Sequence, residues 1–583
     1  MWKLFFDRLK RPLKTMFNTL PSTYDALKDW SWEQFAPYFS ELQSRDLTDA
    51  SADSFLKDWS HLSEAIGEIL NRARILTTQN TSDEIAEAGL RTLMESLYQP
   101  SVQVGNALNE KLLASGVQPD NFELPLKRMR AEVQLFREEN LPLQLEEQKL
   151  GIEYSKVIGG QVVQWDGEEV TLTELVKAFQ ETDRARRKAA FDLYAGRWLQ
   201  DRDALNDIWK RAFPVRNQMA KNAGFDTYRD YRWLQFSRFD YTPADNQTFH
   251  DAIEQVVVPA AVRSRERRRQ TLNLDVLRPY DMDTDSTGLP PLRPWKDIDD
   301  FAAKAESVFN HVDPQLGAYY ATLRREGLLD LPNRKHKGPG AYCSSYPLTR
   351  RPFVFMNAVN TRSDIRTLLH EIGHAFHEFE TLENLPYTQQ RDYPIEFAEV
   401  ASMAMELLAA PYLTHEFGGY YDAPDAARDR IEHLDQILQF WPYMAMVDAF
   451  QLWAYDGTDR AADPAACDAK WLELKARFEP DIDYGGYADY KATGWHRKQH
   501  IFRYPMYYVE YGLARLGSVQ VWANALKDQA GAVKSYREAL ALGGTGTLHE
   551  LFGAAGAKFA FDADTLGVAV SLIESTIAGL QAI

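Results

Sequence analysis

The stretch Ser363-Asp-Ile-Arg-Thr-Leu-Leu-His370-Glu-Ile-Gly-His374 decides how the rest of the chain is read. Ser363 is a candidate helix cap, and the leucines supply an apolar face that can be buried. On a helix the two histidines stand one turn apart and face the same way, so both imidazoles can reach a single divalent ion. Glu371 lies about 100° round the cylinder, near the ion but off it. A carboxylate there can take a proton from a metal-polarised water and later deliver it to a leaving amine. The plain alternative is a pair of histidines on an ordinary helix. A Glu-x-x-His of a di-iron bundle is another, but it requires a second such motif. No other histidine in the chain has Glu three residues before it.

Two nitrogens do not complete a catalytic zinc site, which takes a third protein ligand and keeps one position for water. Downstream, Tyr393-Pro-Ile-Glu-Phe-Ala-Glu-Val-Ala-Ser-Met-Ala-Met-Glu406 reads as a second helix carrying Glu396, Glu399 and Glu406. Glu399 and Glu406 share a face at a seven-residue spacing, and Glu396 lies on the adjacent row. Periodicity leaves all three open.

Further out, most of the chain reads as amphipathic helix: 54–78, 82–115, 122–138, 180–221, 243–272, 297–312, 425–455, 497–527 and 563–580. A hairpin is expected over 160–170 with Asp166-Gly167 as its turn. Two more strands are expected near 340–343 and 351–357. The basic run Arg263-Ser-Arg-Glu-Arg-Arg-Arg269 reads as a solvated helix face rather than a nucleic-acid patch.

The composition agrees with a large folded body. Of 583 residues 45% are hydrophobic and 26% charged, which argues against disorder. The net charge of −18 excludes a chain that coats phosphate backbones, so no nucleic-acid partner is expected. Two cysteines, Cys343 and Cys467, cannot staple a body this size, and a cytoplasmic location is expected. No membrane span is expected, because no apolar run reaches the ~20 residues required. Charges interrupt the segment from Met1 to Pro12, which reads as a packed first helix or an overlong start rather than a secretory signal.

Three blocks resemble one known family. His370-Glu-Ile-Gly-His-Ala-Phe-His377, with Pro352-Phe-Val-Phe-Met-Asn357 before it and Ala398-Glu-Val-Ala-Ser402 after it, is similar to the signature of the thimet oligopeptidase/oligoendopeptidase F family of zinc peptidases. Gly494-Trp-His496-Arg-Lys-Gln-His500-Ile-Phe-Arg-Tyr504-Pro-Met-Tyr507-Tyr508-Val-Glu-Tyr511-Gly-Leu-Ala514 resembles its His…Tyr-Tyr…Tyr segment.

The resemblance implies a mostly α, two-lobed metallopeptidase around a deep substrate channel, with a small β-sheet beside the zinc helix. An N-terminal helical lobe would cover 1–200 and a catalytic lobe 201–583. One Zn²⁺ per chain would sit on His370, His374 and Glu399, with Glu396 as the alternative third ligand. Glu371 would be the general base and acid, while His500, Tyr508 and Tyr511 would serve the substrate carbonyl. Tyr504 or Tyr507 is the alternative for Tyr508. Short peptides would be cut internally, with extended substrate pairing to the strand near 352–357. A related zinc carboxypeptidase, or a non-catalytic peptide binder, is the competing reading. Monomer and homo-oligomer remain equally open.

Overall fold

The computed structural model describes residues 16–582. The expectation for Met1–Pro12 lies outside them. Helices dominate, and the described residues contain only a two-stranded and a three-stranded sheet.

In chain order, α1 (Asp49–Gln79) carries Leu56, Trp59, Leu62, Ile66 and Leu70 on one buried face. The hairpin β1 (Val162–Trp165) and β2 (Glu168–Thr171) pairs antiparallel as expected. Asp166 at φ 52° and Gly167 at φ 86° give the two left-handed turn residues that match strand twist. Helix α2 (Val258–Thr271) follows. The three-stranded sheet consists of β3 (Leu329–Pro332), β4 (Tyr342–Tyr346) and β5 (Arg351–Ala358). Then come α3 (Arg362–Asn384), α4 (Ile395–Ala409), α5 (Ala423–Ala454), the short α6 (Gln499–Arg503), α7 (Val509–Ala525) and α8 (Ala563–Leu580).

Several expected single helices are interrupted. The 82–115 and 243–272 segments each contain a π-helical turn, Met94–Tyr98 and Ile253–Val257, just before Pro100 and Pro259. Proline lacks the N–H that an α-helix needs there and crowds the preceding turn. The 180–221 segment breaks at Asp201, between helices Arg184–Gln200 and Arg202–Asn222. The 497–527 segment breaks between α6 and α7, where Pro505 and a left-handed Met506 (φ 68°) reverse the chain.

The sheet order is β3-β5-β4, with β3 parallel and β4 antiparallel to β5. β5, expected to receive substrate, is thus the central strand with both edges occupied. β4 is the edge strand nearer the site. α1 braces β4, its Asn71 Nδ2 donating to the Ser345 carbonyl at 2.9 Å.

One buried core spans Leu27 to Met129 and a larger one Leu150 to Leu580. The helices on either side of position 200 both belong to the larger core, and a small third cluster joins Ile75 to Tyr346, Phe353 and Phe355.

Two expectations about surfaces change. The basic run on α2 is not a solvated face, since Arg265 and Arg268 are buried. Each of its arginines has a carboxylate partner: Glu574, Asp481, Asp435, Glu432 and Glu266 in turn. α8 is long and apolar enough, by length and composition, to cross a membrane. Here its Leu566, Val570, Ile573 and Ile577 face the core, and Glu574 on the flank of that stripe binds Arg263 at 2.8 Å.

Candidate metal centre and active site

The turn from β5 into α3 is fixed by Asp364. Its Oδ2 accepts from the backbone N–H of Val359 (2.9 Å) and Thr361 (2.8 Å), closing a capping box with Thr361. Thr361 is therefore the cap, and Ser363 lies inside the helix. Leu368, Leu369, Ile372, Ala375 and Phe376 bury the opposite face of α3.

Gly373 lets α3 touch α4. A Cβ there would stand 2.6 Å from Ser402 Cα and 2.8 Å from the Ala401 carbonyl oxygen. α7 approaches the other side of α4 through Gly517, where a Cβ would meet Val400 at 2.9 Å. α4 is thereby pressed between the two helices, with Glu399 turned toward the histidines.

One ligand atom from each of His370, His374 and Glu399 lies within 4.8 Å of the others. His370 Nε2 is 3.5 Å from Glu399 Oε2, close to the ~3.4 Å separating two donors bound at ~2.1 Å in a tetrahedral site. The donor set of two imidazoles and a carboxylate fits a zinc-type ion.

The electrostatics fit as well. Burial opposes a charge on His370, yet hydrogen bonding to Glu406 and the Glu399 carboxylate outweigh it and bring its pKa up to about 9. The site thus attracts positive charge at His370. Burial and the neighbouring His370 hold His374 well below the ordinary imidazole range, in the neutral form that coordinates. Glu371 is buried, and burial raises its pKa to about 7 against the pull of His370. Burial and then the Glu371 charge hold the Cys343 thiol on β4 well above its ordinary range, so the edge strand lies beside this carboxylate.

The other motif residues lie elsewhere. Glu396 accepts from Tyr241 Oη at 2.6 Å and lies 3.9 Å from Arg238, away from the histidines. His377 is fully buried, stacked on Tyr393 with ring centroids 3.7 Å apart.

Glu406 occupies a position whose role the sequence left unassigned. Its Oε1 bonds His370 Nδ1 at 2.8 Å, and its Oε2 bonds His433 Nε2 at 2.8 Å and Arg515 Nη1 at 3.3 Å. Burial works against its charge, but Arg515, His370 and His433 keep its carboxyl well below the usual range. A carboxylate on the far nitrogen of a ligand histidine fixes the tautomer and the ring's aim. The seven-residue spacing from Glu399 was its only sequence signal. His433 on α5 and Arg515 on α7 had none.

Across the site, α6 and the start of α7 gather the tyrosines around His500. Ring centroids lie 4.9 Å from His500 for Tyr508, 5.7 Å for Tyr507 and 5.8 Å for Tyr511. Tyr504 also packs on His500, at 6.1 Å, but is 44% exposed. Burial, then the Glu399 charge, raises the hydroxyl pKa of both Tyr507 and Tyr511, so these two face the ligand set. Their ring centroids stand 5.3 Å apart. Burial and then the nearby Lys498 cation lower His500 to about 3, leaving a neutral imidazole.

A cavity of about 350 Å³ opens on His370, Glu371, Glu406, His433 and Phe440. It shares Ser363 and Gln436 with a second cavity of about 250 Å³. That one shares Met282, Asp283 and Gln439 with a third of about 550 Å³. His433, Gln436, Phe440 and Tyr443, on one face of α5, run along all three.

Paired histidines on one helix, a glutamate on the next and a buried carboxylate beside them define the class of metal-dependent peptidases. The chain belongs to Peptidase family M3, whose model matches residues 178–567. Oligopeptidase PepF of Bacillus subtilis (strain 168) is 25% identical over 257 residues, 42% of this chain and 36% of that protein. An oligoendopeptidase F homolog of Borreliella burgdorferi is 22% identical over 378 residues, 63% of this chain and 60% of its own length. These matches span less than two thirds of either relative. An X-ray structure provisionally named oligoendopeptidase F superposes with a TM-score of 0.86 at 25% identity, covering 94% of this chain and 98% of that one. PZ peptidase A, solved with an inhibitor, gives 0.85 at 23% identity over 97% and 99%, a likeness of fold.

Proposed function

We propose that this protein is a zinc-dependent oligopeptidase that hydrolyses internal bonds of short, unfolded peptides. The observation that carries the reading is the convergence of His370, His374 and Glu399 within 4.8 Å, with Glu371 buried on the next helical position. Zn²⁺ held by those three residues supplies an electrophile and a water of lowered pKa. Glu371 takes the proton of the attacking water and passes it to the departing amine. His500, Tyr511 and, in the place expected for Tyr508, Tyr507 donate hydrogen bonds to the carbonyl oxygen as it gains charge, which favours the transition state over the bound peptide.

The free edge of β4 grips the extended peptide through main-chain hydrogen bonds, which give affinity with little sequence preference. The run of three cavities supports a buried channel that admits unfolded peptides and excludes folded proteins. The two free cysteines suit a reducing cytoplasm.

Mass spectrometry of products from a mixed peptide pool tests this reading, with C-terminally amidated peptides included. The expected result is internal cleavage of free and amidated peptides alike, lost with a chelator and regained with zinc. Cleavage confined to free C-termini makes the protein a carboxypeptidase instead.

A further inference from the structure

Three aspartates alternate along the loop that follows α2, and the outer two are bound. Asp281 is fully buried and accepts from Arg184 at 3.0 and 2.7 Å and from Arg187 at 2.9 Å. Asp285 accepts from Arg428 on α5 at 3.0 Å and from Arg362 on α3 at 3.2 Å. Arg268 on α2 also donates to the Thr284 carbonyl. The loop is thus pinned on both sides of Asp283. That carboxylate has no hydrogen bond or ion pair among the described residues.

Asp283 is exposed to the 250 Å³ and the 550 Å³ cavities, at the junction where both also touch Met282 and Gln439. The first of these cavities joins the metal cavity at Ser363 and Gln436. The other carboxylates on the two walls have partners. Asp285 has the two arginines above, Glu432 has Arg268 at 2.9 Å, and Glu479 has Lys475. Two wall cations, Arg293 and Arg497, lack a carboxylate, but they donate to the carbonyls of Asn360 (3.0 Å) and Tyr490 (2.9 Å), and neither pairs with Asp283. Burial raises the Asp283 pKa against the pull of Arg268, so its charge is left uncompensated. Gln439 on α5, with no hydrogen bond of its own among the described residues, offers an amide oxygen at the same junction. An ammonium brings three donors and a guanidinium five, so either needs more than one acceptor.

We propose that Asp283, with the Gln439 amide oxygen, forms a specificity subsite for a cationic nitrogen group of the peptide, supplied by a Lys or Arg side chain or by the free amino terminus. The inference rests on the peptidase reading above and adds a substrate preference to it. The same carboxylate repels an acidic side chain that reaches the junction. α5 serves as a ruler for its position. His433 lines the metal cavity and Gln439 follows it on the same helix, about 9 Å further along at ~1.5 Å per residue. An extended peptide covers that distance in about three residues. The cation therefore belongs about three residues from the bond that is cut.

Internally quenched peptides test this on the zinc-loaded full chain. They differ in a single residue, Lys, norleucine or Glu, placed about two to four residues to either side of the cut. A matched pair with free and acetylated amino termini separates the two sources of charge. The wild-type chain is expected to favour Lys over norleucine about tenfold in kcat/KM at one position about three residues from the cut, or the free over the acetylated terminus when that terminus falls there, with Glu the poorest. In Asp283→Asn the ratio of Lys to norleucine should fall to within about twofold of one, whereas Asp283→Glu should keep the preference for Lys. Metal content and the norleucine peptide check that each variant has an intact site. A wild-type chain with no cationic preference at any position, or a preference that Asp283→Asn retains, overturns this inference alone. A wild-type chain with no metal-dependent cleavage of any peptide overturns the peptidase reading and this inference with it.

Discussion

The two walls of the site are built on different principles. The metal wall consists of two long helices, α3 and α4, held in contact by Gly373, with two ligands one helical turn apart on α3 and the third on α4. The donor wall is a short helix, a reversal at Pro505 and Met506, and the first turn of another helix, so His500 and its tyrosines meet only because the chain turns back. The metal wall is braced by buried carboxylate bonds from Glu406, whereas the donor wall is held by aromatic packing and by buried Arg216, Arg238 and Gln451, which bond the backbone of Ile501, Phe502 and Met506. A site of this kind needs its metal ligands fixed, while the donors have only to strengthen their hold as charge develops on the substrate.

If the walls have these separate duties, they can be damaged separately. Tyr511→Phe should lower kcat about 10²- to 10³-fold while metal content stays at one ion per chain. Loss of metal from that variant would mean that the donor wall also builds the centre. Glu406→Gln should do the reverse, weakening metal affinity about 10- to 100-fold in a competition with a chromophoric chelator. Unchanged affinity would remove Glu406 from the metal wall. The smallest effect is expected of Gly373→Ala. Helix propensity alone favours alanine by about 0.5–1 kcal/mol, but the Cβ would overlap Ser402, and overpacking of this kind costs about 1–3 kcal/mol. Thermal unfolding should show net destabilisation; a stabilised variant would mean that the α3–α4 contact has room to spare.

The same contrast explains what could be read in the sequence. His370, Glu371 and His374 are legible because a helix turns sequence spacing directly into geometry, and α3 is an uninterrupted helix. The third ligand was not legible that way. Glu396, Glu399 and Glu406 share similar rows on α4, and only the tilt of that helix against α3, set by Gly373, separates them. Glu399 then meets His370 Nε2, Glu406 takes the Nδ1 side, and Glu396 turns to Tyr241.

The donor wall was harder still. Continuous apolar periodicity over 497–527 suggested a single helix, but Pro505 divides it, and ring packing rather than spacing brings His500 to Tyr508. Strand β3 escaped because four residues carry no usable alternation, and without it β5 appeared free to bind substrate. His433 and Arg515 gave no signal, since each gains its meaning from a partner distant in sequence.

The most direct test of the central claim is to measure bound metal and peptide turnover together in Glu371→Gln. The substitution keeps the shape of the side chain, leaves His370, His374 and Glu399 in place, and removes the group that carries the proton. One zinc per chain with turnover abolished is the result expected. A variant that holds its zinc and still cleaves peptides would contradict the account.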